Sequence, residues 1–494
     1  MQILHHSPLQ SNNDVKERSL MWQHEKLLQE HMKKFYQQFE CGNLDEEEEE
    51  KWEVLWSKMK MKEEEETWNS WGLGIISVLI IIWWQYHQHN LMFLPIEDEI
   101  APNGVDNMTP LTLLHLSHYP ESSALENFYN REVHSGVHEM NRGFEFVKVF
   151  TGNLLEACQS ICKKESGVIL KDGVGVGSTF EKWGWKKEPT FDVLVPFHPP
   201  HGYTFQVKAA CWQSDPNKRG CYVVSTESDF MFWNRGGQCS LHEKGNMIPL
   251  EMLLCTNRFL DTQKVHAWFH TLVGKAWRLI CCRYDFTLTT VPSTSCKLKL
   301  VLKSGHMLYI NFIPAVQRAD SLNYLVNQAT NMGDVSGIYW LESFSVYERQ
   351  FLKLIRSFIP KNSCHLKCLS ILAHLKKMTM PPNQCFLNSY HIKTSLMHLL
   401  IMLPPDAWHP ENIKERIQDI LYYLGQSLSK KRLDHFSIGN PSLPLDITIP
   451  QDHRRTEPIN LLRPLLLEHR ICAQANKEFQ AVISLLACLN TEGF

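Results

Sequence analysis

The feature that most constrains this chain is an uncharged segment: no Asp, Glu, Lys or Arg occurs from Thr67 to Ile96. A helix over Thr67–Tyr86 would be ~30 Å long at ~1.5 Å per residue, which matches the hydrocarbon thickness of a bilayer. Aromatic residues stand at both ends of that helix, as they do at membrane–water interfaces. They are Trp68, Trp71, Trp83, Trp84 and Tyr86. A buried helix of a soluble protein would not need aromatic residues at both ends, so the sequence predicts one transmembrane helix at residues 67–86.

Residues 1–66, which precede the predicted span, are predicted to form an acidic, helical N-terminal segment. Asp14–Glu40 has an amphipathic helical pattern with a partial heptad repeat, shorter than the ~3–4 heptads that indicate a coiled coil. Two glutamate runs, Glu46–Glu50 and Glu63–Glu66, are typical of solvated helix faces or disordered chain. The first ten residues lack the apolar core of a signal peptide, so no cleaved leader is expected.

Two arguments about the orientation of the span conflict. Lys58, Lys60 and Lys62 precede it and no Lys or Arg follows before Arg131, so the positive-inside rule places the N-terminus in the cytosol. The 15 cysteines lack the spacing of a disulfide scaffold and indicate free thiols in a reducing compartment. We follow the cysteine argument, which makes the large C-terminal part cytosolic, at a cell membrane or an endomembrane. The net charge of -3 gives no general attraction to nucleic acid, so no nucleic-acid partner is expected.

The remaining chain predicts an α+β fold: a linker at residues 87–119, a mixed α/β core at 120–345 and a helical C-terminal subdomain at 346–494. Helical periodicity marks Glu121–Glu165 and Gln263–Tyr284. The predicted strands are Asp192–Phe197, Thr204–Ala210, Cys221–Ser225 and a hairpin of Lys297–Lys303 with Met307–Ile313. Proline pairs at 381–382 and 404–405 are expected to separate the helices that follow Val346.

A glycine-rich loop in the predicted core ends in Gly177-Ser178 and precedes a strand that carries Asp192. Such a turn can offer backbone N–H groups and a hydroxyl to a phosphate. Nucleotidyl transfer needs two divalent cations, which require several anionic oxygens. Two carboxylates at positions i and i+2 of one strand share a face, and a third can come from a neighbouring strand. The loop and the strand therefore make this region the candidate for a metal-dependent site.

Several motifs give a more specific indication. They are Gly177-Ser178-Thr-Phe-Glu181, Thr190-Phe-Asp192, Tyr309-Ile-Asn311, Cys364-His-Leu-Lys-Cys368, Ser389-Tyr-His-Ile-Lys393 and Leu433-Asp-His-Phe-Ser-Ile-Gly-Asn440. This ordered set resembles the cyclic GMP-AMP synthase and male-abnormal (Mab) group, from about residue 120 onward. With its N-terminal helix and span, the chain resembles the inositol trisphosphate receptor-interacting proteins within that group. The resemblance implies a nucleotidyltransferase-like fold and contact with the inositol trisphosphate receptor or another membrane signalling protein.

The positions that match the metal-binding carboxylates of active relatives are occupied by Thr190, Asp192 and Asn311. One formal charge remains where the mechanism requires three, and neutral oxygens neither balance a dication nor deprotonate a hydroxyl. Glu188 could replace a missing carboxylate, but Pro189 disfavours a continuous strand through it. We therefore expect a pseudoenzyme with no catalytic residue, no metal and no cofactor. Its vestigial nucleotide pocket would comprise Gly177, Ser178, Thr190, Asp192, Asn311, Ser389 and Tyr390.

Alternatives stay open for the residues of that pocket. Ser178 could bind a phosphate or could form an ordinary turn. Ser389 and Tyr390 match positions that contact the base in active relatives. Packing between helices also explains Tyr390, and we favour that interpretation.

Two cysteine motifs outside the pocket are interpreted as structural. Cys364, His365 and Cys368 have a spacing compatible with zinc, but no convincing second cluster of ligands lies nearby in the sequence. The adjacent residues Cys281 and Cys282 fall on an apolar helix face and are expected in the core.

Three functions are compatible with these features. We favour a single-pass membrane protein whose inactive nucleotidyltransferase-like domain is an interaction or regulatory module in membrane signalling. In the second, the N-terminal segment is a cell-surface ligand for an immune receptor. In the third, the domain senses a nucleotide or an inositol phosphate without chemistry, through Ser178 and lysines such as Lys182.

Overall fold

The computed structural model describes residues 119–489, with gaps at 134–136, 185–187, 210–219, 228–248, 292–295, 319–320, 327–336, 380–384, 445 and 448. The predicted N-terminal segment, membrane span and most of the linker therefore lie outside the described residues. Among the helices within the described ranges, none has the length and apolar character needed to cross a bilayer.

The described chain alternates helices and strands in its first two thirds and is almost entirely helical afterwards. The helices are α1 (Ser122–Phe128), α2 (Val137–Glu165), α3 (Gly177–Phe180), α4 (Leu250–Leu254), α5 (Thr262–Ile280), α6 (Ser345–Arg356), α7 (His365–Thr379), α8 (Ser389–Met402), α9 (Ile413–Ser429), α10 (Gln451–Arg454), α11 (Pro464–Leu467) and α12 (His469–Cys488). The strands are β1 (Ile169–Leu170), β2 (Val174–Val176), β3 (Thr190–His198), β4 (Tyr203–Ala209), β5 (Gly220–Glu227), β6 (Cys255–Thr256), β7 (Phe259–Leu260), β8 (Thr287–Val291), β9 (Cys296–Val301), β10 (Met307–Gln317), β11 (Tyr324–Val326) and β12 (Tyr339–Ser343).

The described strands form a 12-stranded sheet with β3 and β10 near its centre. These two strands run parallel to each other, whereas β2, β9 and β11 pair with them in antiparallel fashion. Burial alternates along β10: Leu308, Ile310 and Phe312 are buried, while Tyr309 and Asn311 are only half-buried. Because side chains alternate across a strand, one face of the central strands packs into the core and the other carries the polar candidates.

A helical core forms the second part of the molecule. Buried side chains of α6, α7, α8, α9 and α12 pack together in one cluster, around residues such as Trp408, Phe436 and Phe479. Leu125 and Phe128 of α1 belong to the same cluster. The first helix of the described chain therefore packs against helices that lie more than 200 residues later in the sequence.

The structure confirms a mixed α/β region followed by a helical region, which is compatible with a nucleotidyltransferase-like fold. The predicted strands and the hairpin across Ser304-Gly305 are present, with small shifts at their ends. The helical pattern predicted over Glu121–Glu165 is confirmed in the described residues, where it comprises more than one helical element. A π-helical turn at Tyr129–Val133 follows α1, and α2 begins at Val137. Both ends of this turn, Tyr129 and Val133, are buried in the core.

The prediction that Cys281 and Cys282 lie in the core is wrong. Helix α5 begins after Asp261, whose side chain accepts hydrogen bonds from the backbone N–H groups of residues 263 and 264. The helix ends at Ile280, and the two cysteines lie in a short 3-10 turn in which both are exposed. Because the α-helical period stops at Ile280, the apolar stripe of α5 does not continue through the cysteines.

Candidate functional site

The three positions that correspond to metal-binding carboxylates come together on the central strands. Thr190 and Asp192 lie two residues apart on β3 and are both half-buried, on the same face of the sheet. Asn311 of β10 is directly opposite Asp192 in the parallel register, and Tyr309 is opposite Thr190. The backbone therefore provides the geometry that a carboxylate triad would need, although this chain places one carboxylate in it.

Asn311 and Asp192 are joined by a hydrogen bond. The side-chain amide nitrogen of Asn311 donates to Oδ1 of Asp192 over 2.8 Å. The amide oxygen of Asn311 is buried and has no hydrogen-bond partner among the described residues. The opposite orientation of the amide would place this oxygen against the carboxylate, which repulsion between the two oxygens disfavours. The position of the third carboxylate thus presents an N–H donor to the remaining acid.

Glu188, the candidate replacement for a missing carboxylate, lies outside the strand. Strand β3 begins at Thr190, and the carbonyl of Pro189 accepts a hydrogen bond from the Tyr309 backbone N–H over 2.8 Å. Glu188 itself is exposed and hydrogen-bonds the side chain of Tyr309. Desolvation and the charge of Glu188 raise the pKa of the Tyr309 phenol. The structure therefore gives the Glu188 carboxylate a partner in Tyr309.

The glycine-serine turn lies directly beside Asp192. Gly177 begins α3 with φ of +82°, and a Cβ at this position would lie 3.2 Å from Oδ2 of Asp192. The hydroxyl of Thr179 donates to the carbonyl of Thr190 over 2.7 Å, which ties this short helix to the start of β3. Glycine is required at position 177 because its backbone adopts the left-handed region next to the carboxylate.

Ser178 lies on the other side of this turn and faces Gly184. The backbone N–H groups of Trp183 and Gly184 both donate to the Ser178 carbonyl over 3.0 Å. The side chain of Ser178 packs so closely on Gly184 that a Cβ there would overlap it. Ser178 is thus part of a tight local turn, with its side chain half-buried.

A buried ionic network, composed of Glu181, Glu348 and Lys393, joins the end of this turn to the helical core. The ammonium of Lys393 on α8 lies 2.6 Å from Oε1 of Glu181 and 2.8 Å from Oε2 of Glu348 on α6. The side chains of Lys393, Glu181 and Glu348 are 5%, 0% and 4% exposed, so the three charges are almost completely removed from water. The indole N–H of Trp183 donates to Oε2 of Glu181 over 2.6 Å. One lysine therefore forms an ion pair with both carboxylates.

Tyr390 extends the network on the side of Glu348. Its hydroxyl donates to Oε1 of Glu348 over 2.6 Å and lies 3.1 Å from Nε2 of His435. Burial alone raises the pKa of Glu348, but its electrostatic interactions with Lys393 and His435, with hydrogen bonds from Lys393 and Tyr390, outweigh burial and hold that pKa below its ordinary value. Burial and the neighbouring Glu348 raise the pKa of Tyr390 well above its ordinary value. The hydroxyl of Tyr390 is thus engaged in the joint between helices.

Arg349 extends the network on the side of the turn. Its guanidinium donates to the carbonyl of Gly175 and lies over the ring of Phe180, 5.6 Å from the ring centroid. Burial lowers the pKa of Arg349, and the charge of Glu181 partly opposes this. Cationic groups from α6 and α8 therefore fix both ends of the glycine-serine turn.

Glu181 and Lys393 belong to motifs of the sequence, but the motifs alone predict no role for either residue. The sequence nevertheless indicates a buried ion pair, because Lys393 is a single charged residue within the otherwise uncharged sequence of α8. A charge in a helix with buried residues around its circumference requires a partner. Ser389, by contrast, is the first residue of α8, half-buried, beside the cap formed by Asn388.

A second buried polar cluster joins the sheet to the helical region. Glu342 of β12 accepts from Arg318 over 2.7 Å, and its carboxylate lies 3.1 Å from Nε2 of His453. Glu342 and His453 are 4% and 0% exposed. Sheet and helices are therefore held together at two separate buried positions.

Cys364, His365 and Cys368 lie within the helical core. Both cysteines are 0% exposed, and Nδ1 of His365 is 2.8 Å from the hydroxyl of Ser363. Burial, with a smaller contribution from Arg356, lowers the pKa of His365 to about 3. Within the described residues, no group of three or more His, Cys, Asp or Glu side chains has an arrangement that could hold a metal ion.

Comparison with known proteins confirms the resemblance expected from the motifs. Residues 364–445 match the family described as the Mab-21 protein HhH/H2TH-like domain. Inositol 1,4,5-trisphosphate receptor-interacting protein-like 1 of Rattus norvegicus is 38% identical over 444 residues, which cover 85% of this chain and 80% of that protein. Inositol 1,4,5-trisphosphate receptor-interacting protein of Homo sapiens is 32% identical over 454 residues, which cover 86% and 82%. These similarities extend over most of both chains, and the chain therefore belongs to the inositol 1,4,5-trisphosphate receptor-interacting protein family.

Proposed function

We propose that this chain is a single-pass membrane protein whose nucleotidyltransferase-like domain is catalytically inactive and serves as a protein-interaction module in membrane signalling. The observation that carries the proposal is the pair formed by Asn311 and Asp192, in which an amide N–H faces the one acid of the triad position over 2.8 Å. The strand geometry is retained, while two of the three acids that the chemistry needs are replaced by Thr190 and Asn311.

The electrostatic argument concerns cation binding at Asp192. A divalent cation requires several anionic oxygens, and two such cations require more than one carboxylate. The amide hydrogen of Asn311 carries a partial positive charge and occupies one oxygen of Asp192. Rotation of the amide would offer one neutral oxygen and no additional charge. Paired metal binding, and with it nucleotidyl transfer, is therefore disfavoured.

The interaction role rests on rigidity and on family membership. The networks around Lys393 and Glu342 fix the helical region against the sheet, which supports a surface of constant shape. Relatives at 32–38% identity are named as receptor-interacting proteins. By analogy, we propose the inositol trisphosphate receptor, or a related membrane signalling protein, as the partner of this chain.

The membrane part of the proposal rests on the sequence of residues 67–86. Its uncharged length and terminal aromatic residues support a single span. The cysteines, which lack the spacing of a disulfide scaffold, support a C-terminal domain in the cytosol. An antibody against residues 14–66, applied to intact and to permeabilised cells, tests this orientation for a chain at the cell surface. The proposed orientation is wrong if the antibody binds only after permeabilisation in cells that carry the chain in their plasma membrane.

Inactivity is tested with the purified full chain, Mg²⁺ or Mn²⁺, and nucleoside triphosphates. We expect no nucleotide product. A metal-dependent product that Asp192→Asn abolishes would refute the proposal. A Thr190→Asp, Asn311→Asp variant restores three acids and should bind Mn²⁺ more tightly than the native chain in a titration. Equal Mn²⁺ affinity of the two proteins would show that the electrostatic argument is wrong.

The partner is tested by capturing the inositol trisphosphate receptor with the full chain and with a chain that lacks residues 1–66. We expect equal capture by both, because the folded domain carries the interaction. Loss of capture on this deletion would move the interaction to the N-terminal segment, and absence of capture by the native chain would exclude this receptor as the partner.

A further inference from the structure

The turn after α5 places two adjacent thiols on the surface. Cys281 and Cys282 are both exposed, in a 3-10 turn that ends at Arg283. The thiol of Cys281 makes a long contact of 3.6 Å to the carbonyl of Arg278, which is a weak hydrogen bond for a sulfur donor. Neither side chain is needed to fill the core, so packing does not account for this pair.

Most other cysteines of the described chain are in a different situation. Cys158, Cys162, Cys255 and Cys296 are buried. Burial raises the pKa of the Cys162 thiol to about 12 and that of Cys255 to about 11, so these thiols stay protonated and out of reach of a reagent. Cys281 and Cys282 differ from these buried cysteines because their thiols are exposed to solvent.

Exposed apolar and positively charged side chains surround the two cysteines. Leu279, two residues before Cys281, is 62% exposed. Arg278 and Arg283 are exposed on either side, and no ion pair of theirs is seen with any described residue. The nearest acid in the sequence, Asp285, is paired with Lys303. The turn therefore presents an unburied leucine and two thiols between two positive charges.

An aromatic cluster holds this turn in place. Trp277 and Phe286 stack with ring centroids 5.5 Å apart, and Tyr284 packs edge-on against Phe150 at 5.3 Å. The hydroxyl of Tyr284 accepts a hydrogen bond from Asn153 over 2.8 Å. Because the residues on both sides of the turn are anchored in the core, the exposure of the thiols is a fixed feature of the fold.

We propose that Cys281 and Cys282 are a site of S-acylation, at which long-chain acyl groups are transferred from acyl-coenzyme A. The cysteine sulfur attacks the thioester carbonyl of the donor, a new sulfur–carbon bond forms, and the bond between the carbonyl and the coenzyme A sulfur breaks. The proton lost by the cysteine ends on coenzyme A, and no oxidant or reductant is consumed. Cysteines beside a membrane span or on an amphipathic helix are the usual acceptors, and this pair directly follows the amphipathic helix α5.

Two adjacent acceptors have a physical consequence. A single acyl chain gives only marginal, reversible membrane binding, whereas two chains, or one chain with a basic patch, give stable attachment. Cys281 and Cys282 can carry two chains, and Arg278 and Arg283 can contact anionic headgroups. Acylation would thus attach this face of the domain to a bilayer. The inference rests on the proposed cytosolic location of the domain and is independent of the proposed receptor partner and of catalytic inactivity.

The test uses the full chain expressed in eukaryotic cells. Free thiols are blocked with N-ethylmaleimide, thioesters are cleaved with neutral hydroxylamine, and each released thiol is labelled with a polyethylene glycol maleimide that shifts the band on a gel. We expect tags that require hydroxylamine, and the loss of one or two of them in the Cys281→Ser, Cys282→Ser variant. Cys488→Ser is the matched control, since Cys488 is exposed but is not followed by a second cysteine. It should lose none.

Two results would overturn the proposal. One is an unchanged number of tags in the Cys281→Ser, Cys282→Ser variant. The other is tags on these cysteines that appear with a reducing agent and without hydroxylamine, which would identify a disulfide. Mass spectrometry of the native peptide that contains Cys281 and Cys282, with thioesters preserved, gives a readout that does not depend on the folding of any variant.

Discussion

Replacement of Lys393 by methionine is the sharpest test of the buried ionic network. Methionine keeps most of the volume and the unbranched shape of lysine but removes the charge. In the native chain the Lys393 ammonium lies 2.6 Å from Glu181 and 2.8 Å from Glu348. The substitution therefore leaves two carboxylates, 0% and 4% exposed, without the ammonium that both of them contact.

The expected magnitude follows from this burial. Removing one partner of a buried pair typically costs ~3–5 kcal/mol, because the remaining charge stays desolvated and unpaired. Lys393 serves two carboxylates, so we expect the upper part of that range. Domains have total stabilities of ~5–15 kcal/mol, so a large fraction of the free energy of unfolding would be lost. Adding Glu181→Gln and Glu348→Gln should recover about half of the loss, since the unpaired charges are then removed.

The loss should depend on pH in a defined direction. The pKa of Glu348 is held below its ordinary value of 4.5 in the folded state, so its contribution to stability is present above pH 4.5 and is lost as pH falls through the folded pKa. The pKa of Lys393 is raised by the two carboxylates against the effect of burial, and its contribution is lost only as pH rises above 10.5. The difference between native and Lys393→Met should therefore be largest near neutral pH and diminish below pH 4.5.

The measurement is urea unfolding followed by circular dichroism, with Lys367→Met as the matched control. Lys367 pairs with Glu126 at 2.9 Å, but the two side chains are 32% and 31% exposed. Such partly solvated pairs contribute at most ~1 kcal/mol. If Lys393→Met loses no more free energy of unfolding than Lys367→Met, the electrostatic account of this joint is wrong.

Three further predictions concern single features of the structure. Burial lowers the pKa of His391 from 6.5 to about 4. Between these pH values the unfolded chain binds a proton that the folded chain does not, so acidification from pH 7 to 5 should lower the free energy of unfolding by ~2 kcal/mol. His391→Gln, which retains the capping geometry, should abolish that part of the pH dependence in unfolding experiments. Gly177→Ala should lower the free energy of unfolding by ~1–2 kcal/mol, because φ is +82° there, whereas Gly274→Ala, which has open space and a helical backbone, should not destabilise. In native protein, Cys281→Ser with Cys282→Ser should remove two thiols that react rapidly with a soluble reagent, whereas buried Cys158→Ser should remove none.

The regular elements could be predicted from sequence because their signals are local. The strands β3 and β10 carry β-branched and aromatic residues at buried positions, and α5 has a clear apolar stripe that starts after the capping Asp261. The π-helical turn at Tyr129–Val133 could not be predicted, since it depends on the packing of α1 against distant helices. The exposure of Cys281 and Cys282 was missed for a related reason. The end of α5 is set by the aromatic cluster around Trp277 and Tyr284, and not by a capping residue.

Residue types fix the chemical character of this protein before any folding is considered. The residues Thr190, Asp192 and Asn311 fix how much negative charge the strand positions can carry, whatever the surrounding fold. Tertiary structure alone decided that the Asn311 amide faces Asp192, and that Lys393 meets Glu181 across 212 residues of chain. The physical reason is that residue types set which charges and donors exist, whereas the pairing of buried groups depends on distances that only the packed chain defines.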